Sequence, residues 1–343
     1  MMRVFISLFV ASSFSFAQAP PVTDLASRLD KAHELTISGK VDQAITDLQA
    51  ARKENPDNLR ITRELGLAYY RKNQFSSAVT ELKSVLSRDP NDKEAIQLAG
   101  LSLYFTGAQT EAISYLEKST AWFPSATLNA NYVLGLAYLE TRQYDNALRA
   151  FATTYGVAPN SAAGNLMFAR MLLAQNDDGR SEEYVRKAVE LDPKLPLAHH
   201  LLGEFLVVRH DIPGAIREFE AELTINPANA NTYYKLADAY SRAERWDDAH
   251  RMLQQSIWLD STWTGPYILM GRVLLKKNEN VLAVRTLRKA ISMDPKNDLT
   301  HFLLGQALRA IGDEQNAQKE FGIARELKAA SNQSDQEILK PKQ

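Results

Sequence analysis

The chain has 343 residues, with 40 lysines and arginines against 41 aspartates and glutamates, so its formal net charge is −1. Charges of both signs are mixed along the whole chain, and the lack of a basic stripe argues against nucleic acid as a partner. Cysteine is absent, which excludes disulfide bonds, thiolate metal sites and cysteine catalysis.

The first residues have the pattern of a bacterial export signal. A short basic start with Arg3 precedes an apolar run over 4–16. The small-x-small triplet that ends this run predicts a signal peptide over 1–17 and a short lead-in over 18–24, and cleavage after Ala19 is the alternative. The run is too short to span a bilayer, and no later stretch is long enough. We therefore expect export to the periplasm or the extracellular space, with no transmembrane anchor after cleavage.

From residue 25 to residue 331 the sequence repeats nine times, with a period of 34 residues and one extra residue between the third and fourth copies. One offset holds only glycine or alanine: Ala32, Gly66, Gly100, Gly135, Ala169, Gly203, Ala237, Gly271 and Gly305. A second offset, twelve residues later, holds alanine or serine: Ala44, Ala78, Ala112, Ala147, Ser181, Ala215, Ala249, Ala283 and Ala317. A period of this length is typical of stacked repeats. The copies lie near 25–58, 59–92, 93–127, 128–161, 162–195, 196–229, 230–263, 264–297 and 298–331.

Each copy has the pattern of two short helices. In the fourth copy, Leu134 and Tyr138 are four residues apart on a first helix. Ala147 and Phe151 have the same spacing on a second helix, which ends before Pro159 because proline cannot donate a backbone hydrogen bond. Two antiparallel helices that cross closely need small side chains at the crossing, where a bulky residue would cost about 1–3 kcal/mol.

These motifs resemble the tetratricopeptide repeat family, in which a Leu-Gly pair, an aromatic residue, two small residues and a proline recur over each repeat. The residues that carry the resemblance include Leu65-Gly66, Tyr69, Ala78, Leu82 and Pro90, and Leu134-Gly135, Tyr138, Ala147, Phe151 and Pro159. The resemblance covers about nine-tenths of the chain. It implies an all-α fold, an α-α superhelix (solenoid) of about nine helix-turn-helix repeats, followed by a flexible polar tail over 332–343.

Motifs for catalysis, metal binding or cofactor binding are not found in the sequence. It contains no Gly-x-Ser-x-Gly elbow, no phosphate loop and no His-Glu-x-x-His. The adjacent His199 and His200 diverge on a helix, and the six histidines are interpreted as surface or groove residues. We therefore expect a protein that is not an enzyme and holds no cofactor or metal. An enzyme with a site between repeats, using residues such as His200 and Glu204, is the remote alternative.

The resemblance also implies that the first helix of each repeat lines a concave groove that binds a protein or peptide partner. The candidate partner-binding residues are Arg63, Tyr70, Tyr104, Phe105, Tyr132, Arg170, His200, Glu204, Tyr234, Asp238 and Arg272. Leu67, Leu101 and Leu136 would complete an apolar and aromatic wall in the second to fourth repeats. Two alternatives stay open at this point. Tyr70 and Tyr104 would instead belong to the core, and the four charges would pair as Arg170 with Glu204 and Asp238 with Arg272.

The pattern indicates a non-catalytic interaction scaffold or adaptor of the bacterial cell envelope. No repeat has the lysine and asparagine positions with which some tetratricopeptide domains hold a terminal carboxylate, so a carboxylate clamp is not expected. An accessory assembly subunit of an envelope export machine, for polysaccharide or protein secretion, is the alternative.

Overall fold

The computed structural model describes residues 25–119 and 130–338, with side chains described as far as residue 332. The predicted signal peptide and lead-in lie outside the described residues. All regular secondary structure in the described part is α-helical, as predicted. Its helices are α1 (Leu25–Ile37), α2 (Val41–Glu54), α3 (Leu59–Arg71), α4 (Phe75–Arg88), α5 (Lys93–Phe105), α6 (Gln109–Ser119), α7 (Ala130–Glu140), α8 (Tyr144–Tyr155), α9 (Ala162–Ala174), α10 (Asp178–Leu191), α11 (Ala198–Val208), α12 (Ile212–Ile225), α13 (Ala230–Arg242), α14 (Trp246–Leu259), α15 (Thr264–Lys276), α16 (Asn280–Met293), α17 (Asp298–Ala310) and α18 (Glu314–Ile338).

The helices form hairpins, one for each predicted repeat, which confirms the expected fold class. The chain divides into two compact units, the first ending at Thr154 and the second beginning at Tyr155. Within each compact unit, the first helix of a hairpin also packs against the second helix of the preceding hairpin, as α5 packs on α4 and α17 packs on α16. Each compact unit therefore buries a core that runs from hairpin to hairpin.

A single left-handed residue makes the turn inside every described hairpin. In the second hairpin, Asn73 has a φ of +61°, and the amide of Gln74 donates to the carbonyl of Tyr69 at 2.8 Å. This is the 6→1 hydrogen bond of a Schellman turn, which satisfies a carbonyl at the end of the first helix. The equivalent left-handed residues are Gly39, Asn73, Gly107, Arg142, Asn176, His210, Glu244, Asn278 and Gly312. Their regular spacing fixes the length of every turn.

Polar side chains start most of the first helices. Asn58, Asp92 and Asn229 each accept a backbone N–H of the first turn of the helix that follows, as N-cap residues do. Helix α11 differs, because Leu197 precedes it and offers no capping side chain. The fully buried carboxylate of Glu222 instead accepts the amide of Leu197 at 2.9 Å from the neighbouring helix α12.

The glycines of the repeat lie where the two helices of a hairpin cross. A β-carbon added to Gly135 would be 2.8 Å from the ring of Phe151, a distance that real β-carbons do not tolerate. The same geometry places Gly66 against Leu82 and Gly203 against Phe219, in each case sixteen residues further along the chain. The side chain sixteen residues later, on the second helix, therefore requires a small residue at the crossing. This explains the series of glycines and alanines in the first helices.

A phenylalanine at the partner position, sixteen residues later, occurs only with glycine at the crossing. The hairpins whose partner is phenylalanine all have glycine at the crossing, as the pairs Gly135–Phe151, Gly203–Phe219 and Gly305–Phe321 show. The hairpins with alanine at the crossing have a smaller residue at the partner position, namely Leu48, Val185 or Leu253. Leucine accompanies either glycine, as in the pair Gly66–Leu82, or alanine, whereas phenylalanine accompanies glycine alone.

Tyrosine hydroxyls join neighbouring hairpins. The hydroxyl of Tyr138 donates to Glu117 of the preceding hairpin, and Tyr240 makes the same contact with Glu220. Burial and, to a smaller extent, the hydrogen bond to Glu220 raise the pKa of Tyr240 to about 12. The family tyrosine therefore has a specific structural role in these two repeats.

The last helix is longer than the repeat requires. Helix α18 continues to Ile338, beyond the predicted end of the ninth repeat at residue 331. The first part of the segment predicted as a flexible tail, 332–343, thus has helical backbone. Residues 339–343 lie outside the described part of the chain.

The crossing pair predicts a coupled mutational effect. We expect Gly135→Ala to lower the free energy of unfolding by about 1–3 kcal/mol, because the new methyl group overlaps the ring of Phe151. In the Gly135→Ala/Phe151→Leu double variant, which reproduces an alanine–leucine pair, part of this loss should be recovered. Denaturant unfolding of the single and double variants measures the coupling energy.

Gly322→Ala is the matched control. Gly322 lies inside α18, and nothing lies within 4 Å of an added β-carbon there. This substitution should be neutral or stabilise by up to about 1 kcal/mol, because alanine favours helix over glycine. Equal unfolding curves for Gly135→Ala and the native chain would contradict the crossing model.

Candidate protein-binding surfaces

Four aromatic side chains form a continuous cluster in the first compact unit. Phe75 at the start of α4 and Phe105 at the end of α5 are stacked, with ring centroids 4.6 Å apart and an interplanar angle of 23°. Tyr70 meets Phe75 edge-on at 5.9 Å, and Tyr104 meets Phe105 edge-on at 5.4 Å. We call these four residues the aromatic surface. Phe105 is 44% exposed, so its ring is open to a partner.

Tyr104 combines a surface position with a structural contact. Its hydroxyl donates to Glu140 of the next hairpin at 2.7 Å, and the side-chain amide of Gln109 donates to the same carboxylate at 2.5 Å. Burial and this hydrogen bond raise the pKa of Tyr104 above its usual range. The tyrosine therefore holds two hairpins together, and only its ring belongs to the aromatic surface.

The remainder of the expected apolar wall is largely core. Leu67 and Leu101 are buried, with 7% and 3% of their surface exposed, and do not face solvent. Tyr132 is half-buried and packs edge-on against Phe151 at 5.5 Å. Helical periodicity could not separate these residues from Phe105, because the same face of a first helix meets both the groove and the next hairpin.

Arg63 is held by two carboxylates at the start of α5. Its guanidinium lies 3.1 Å from Asp92 and 3.5 Å from Glu94. Burial raises the pKa of Glu94, and the nearby Arg63 works against this increase. The arginine thus joins the second and third hairpins, and its contact with a partner stays a prediction.

The second compact unit contains a cavity of about 400 Å³ along the first helices α9, α11 and α13. Apolar residues form its floor and charged residues form its rim, and we call it the mixed-charge groove. Its floor includes Leu173, Leu201, Phe205 and Val208, and its rim includes Glu204, Arg209, Lys235, Asp238 and Arg242. The buried Glu182 also lines it. Val208 is 72% exposed although it is aliphatic. Two of the predicted site residues, Glu204 and Asp238, line this groove.

The charges of the rim are paired with one another. Glu204 lies 2.6 Å from Lys235. Asp238 lies 2.7 Å from Arg242 and 3.3 Å from Arg272, so the expected pairing of Asp238 with Arg272 is present. These groups are partly exposed, and each pair contributes at most about 1 kcal/mol. The rim can therefore exchange its ion pairs with charges on a partner at small cost.

His200 is buried in the structure, and we remove it from the candidate surface. Its Nδ1 lies 2.8 Å from the hydroxyl of Thr232 in the next hairpin. Burial lowers the pKa of His200, against the opposing effect of Glu204, so the ring is neutral at neutral pH. His199 and His301 are also buried, in contrast to the interpretation of the histidines as surface or groove residues.

The remaining predicted residues are Arg170, Arg272 and Tyr234. Arg170 is exposed on α9, and Arg272 is exposed on α15, where it contacts Asp238. Tyr234 is half-buried on α13 and packs against Trp263, with ring centroids 4.5 Å apart. The ladder of four charges is thus partly assembled, with Asp238 at its centre.

Sequence reasoning missed three residues of these surfaces. Phe75 is not among the candidate residues of the sequence analysis, yet it stacks on the exposed Phe105. Val208 and Lys235 were not considered, although both line the mixed-charge groove. The sequence did contain a signal for Val208, which lies at the end of a first helix. The equivalent position of the next repeat holds the polar Arg242, which indicates that this offset is exposed.

Two further features are absent from the described residues. They contain no group of three histidine, aspartate or glutamate side chains arranged to hold a metal ion. Within the same residues, none of the helices combines the length and apolar character that crossing a bilayer requires.

Helical hairpins that present open side-chain surfaces define the class of helical-repeat interaction scaffolds. Four segments of the chain match family models described as tetratricopeptide repeat, over residues 35–101, 132–196, 232–262 and 265–297. Together these segments span more than half of the chain, and the chain belongs to the tetratricopeptide repeat family. Its members bind protein or peptide partners and are generally non-catalytic.

The chain is also similar to two curated proteins. It is 22% identical over 289 residues to the BBSome complex member BBS4 homolog of Drosophila melanogaster, which covers 80% of this chain and 59% of that protein. It is 23% identical over 291 residues to BBSome complex member BBS4 of Bos taurus, which covers 84% of this chain and 56% of that protein. The chain therefore spans less than two thirds of the length of these relatives.

Among solved structures, the chain is similar to YrrB, described as a TPR protein with an unusual peptide-binding site. The identity is 20%, the alignment covers 53% of this chain and 93% of that chain, and the TM-score is 0.48. A similarity at this level carries no inference about function.

Proposed function

We propose that the protein is an exported scaffold of the bacterial cell envelope that performs no chemistry and binds a segment of a partner protein. The mixed-charge groove is the observation that carries this proposal. It offers an apolar floor for one or two partner side chains, enclosed by charges that fix their orientation. The aromatic surface offers a second contact, since stacked aromatic rings supply contact area at low entropic cost.

The floor of the groove supplies most of the binding energy in this proposal. Val208 and Leu173 are 72% and 37% exposed, so both have apolar surface left to bury. Burial of apolar surface contributes about 25 cal/mol per Å². The ion pairs between Glu204 and Lys235 and around Asp238 contribute to specificity more than to affinity, because partner charges must match both signs.

The proposed location depends on the first residues of the chain. Arg3 and the apolar run over 4–16 have the order and length of a cleaved export signal. The run is shorter than a bilayer-spanning helix needs, which favours cleavage over anchoring.

A second candidate is an accessory subunit of an envelope export or secretion machine. Two of the relatives are described as members of a complex, which favours a role inside a larger assembly. The two candidates differ in stoichiometry. A scaffold exchanges its partners, whereas a subunit copurifies with the machine in a fixed ratio.

We expect Val208→Glu to abolish capture of the partner by the mature chain from extracts of its own cells. The reason is that a carboxylate would stand on the apolar floor of the groove. Val281→Glu is the matched control, because Val281 is 65% exposed on α16, outside the groove. Captured proteins are identified by mass spectrometry. Retention of the same proteins by both variants, or their loss from both, would contradict the assignment of the groove.

Export predicts a shortened chain outside the cytoplasm. When the full gene is expressed in a bacterial host, the periplasmic or secreted protein should begin at Gln18, because cleavage is expected after Ala17. Cell fractionation and N-terminal sequencing measure this. Replacing residues in the apolar run over 4–16 with charged ones should keep the chain in the cytoplasm. An uncleaved cytoplasmic native chain would refute the proposed location.

A further inference from the structure

The last described hairpin has an apolar groove between its two helices. The groove encloses about 700 Å³, and we call it the terminal groove. Its floor consists of Leu299 and Phe302 on α17, and Phe321 and Ala324 on α18. Leu299 and Phe302 are 46% and 45% exposed, which is unusual for large apolar residues side by side on one helix face.

The equivalent face of the preceding hairpin is covered by a helix. Helix α17 packs on α15 and α16, and the residues there that correspond to Phe321 and Ala324 are Leu287 and Ala290, both fully buried. On the last hairpin, α17 is the only helix of the described residues that packs extensively on α18. The terminal groove therefore has the geometry that accepts a further helix.

The rim of the terminal groove is cationic. It carries Arg309, Arg325 and Lys328, against the single carboxylate of Asp298 among the lining residues. At the offsets of Arg309 and Arg325, the preceding hairpin has the aliphatic residues Leu275 and Ile291. The last two hairpins thus share the apolar floor on which a helix can pack. The rim of the last hairpin is more cationic than the same region of the preceding one.

Both arginines of the rim lie against the apolar floor. The guanidinium of Arg309 lies over the ring of Phe321, 4.6 Å from its centroid, and is 3.4 Å from Glu314. The side chain of Arg325 donates to the backbone carbonyl of Phe321 at 3.3 Å. Both guanidiniums retain donors that can meet carboxylates above the groove.

We propose that the terminal groove docks an amphipathic helix of a partner protein, with an apolar face flanked by acidic residues. Apolar side chains at positions i, i+3, i+4 and i+7 of that helix cover Leu299 and Phe302, in the manner of a helix bound in a groove. Its flanking carboxylates meet Arg309, Arg325 and Lys328. This contact is separate from the mixed-charge groove and does not depend on the location of the protein.

A pair of synthetic peptides tests the proposal. Each is a labelled helix of about fifteen residues with leucine at the i, i+3, i+4 and i+7 positions. The positions beside this leucine face are charged, and all other positions are alanine. One carries glutamate beside the leucine face and its twin carries lysine at the same positions. Fluorescence anisotropy with the full chain should show that the glutamate peptide binds about tenfold or more tightly than the lysine peptide. Added salt should weaken this binding.

Variants of the chain localise the effect. Arg325→Glu/Lys328→Glu should reverse the preference between the two peptides, because both side chains are exposed and the substitutions leave the floor intact. Arg288→Glu, on the exposed surface of α16, is the matched control and should leave the preference unchanged. Circular dichroism verifies that each variant is folded.

Three outcomes would overturn the proposal. They are equal affinity of the two peptides, failure of the glutamate peptide to bind, and a preference that charge reversal at Arg325 and Lys328 does not change. A fourth outcome concerns a second copy of the chain as the occupant. Concentration-dependent dimers in sedimentation that Phe302→Asp abolishes would assign the terminal groove to self-association, and would also overturn the proposal.

Discussion

The structure depends on the close crossing of two helices inside each hairpin. Where Gly135 faces Phe151, no room exists even for a methyl group, so the backbone of one helix lies directly against an aromatic ring of the other. This contact is repeated with changes in size: alanine stands at Ala237, where the partner position holds the smaller Leu253. Because each phenylalanine at the partner position meets a glycine, hairpins of different sequence can all cross closely.

The uniform hairpin determines what the molecule can present. Each first helix is followed by one left-handed residue, whether this is Asn73 or the sterically less suited Glu244, so the second helix always begins at the same place. Side chains at equivalent offsets therefore recur at regular intervals within each compact unit. In one place this produces stacked aromatic rings at Phe75 and Phe105, and in another it produces an apolar floor at Val208 with paired charges around it. Both arise from variation at exposed offsets of a constant frame.

Much of the fold was predictable from the sequence because the crossing and the turns impose strict local requirements. The series that contains Gly66 and Gly203 predicted the hairpins directly, because a close helix crossing requires a small residue at one fixed offset of each repeat. The left-handed turn was also encoded, but Arg142 and Glu244 conceal it, since neither residue type signals a positive φ.

The candidate surfaces were only partly predictable, for a different physical reason. Position on a first helix gives the direction of a side chain and leaves open whether the next hairpin covers it. His200 and Leu101 share a face with Glu204 and Phe105, yet the first two are buried. Conversely, Val208 is exposed because its neighbours leave most of its side chain uncovered, and a single sequence does not show this.

The central claim is that a phenylalanine at the partner position requires glycine at the crossing, and one exchange of side chains tests it most directly. Leu253→Phe should lower the free energy of unfolding by about 1–3 kcal/mol, because Ala237 leaves no space for a larger ring. Adding Ala237→Gly, which creates the glycine–phenylalanine pair seen in three other hairpins, should restore most of the loss. Native-like stability of Leu253→Phe alone, or a double variant no more stable than the single one, would contradict the account.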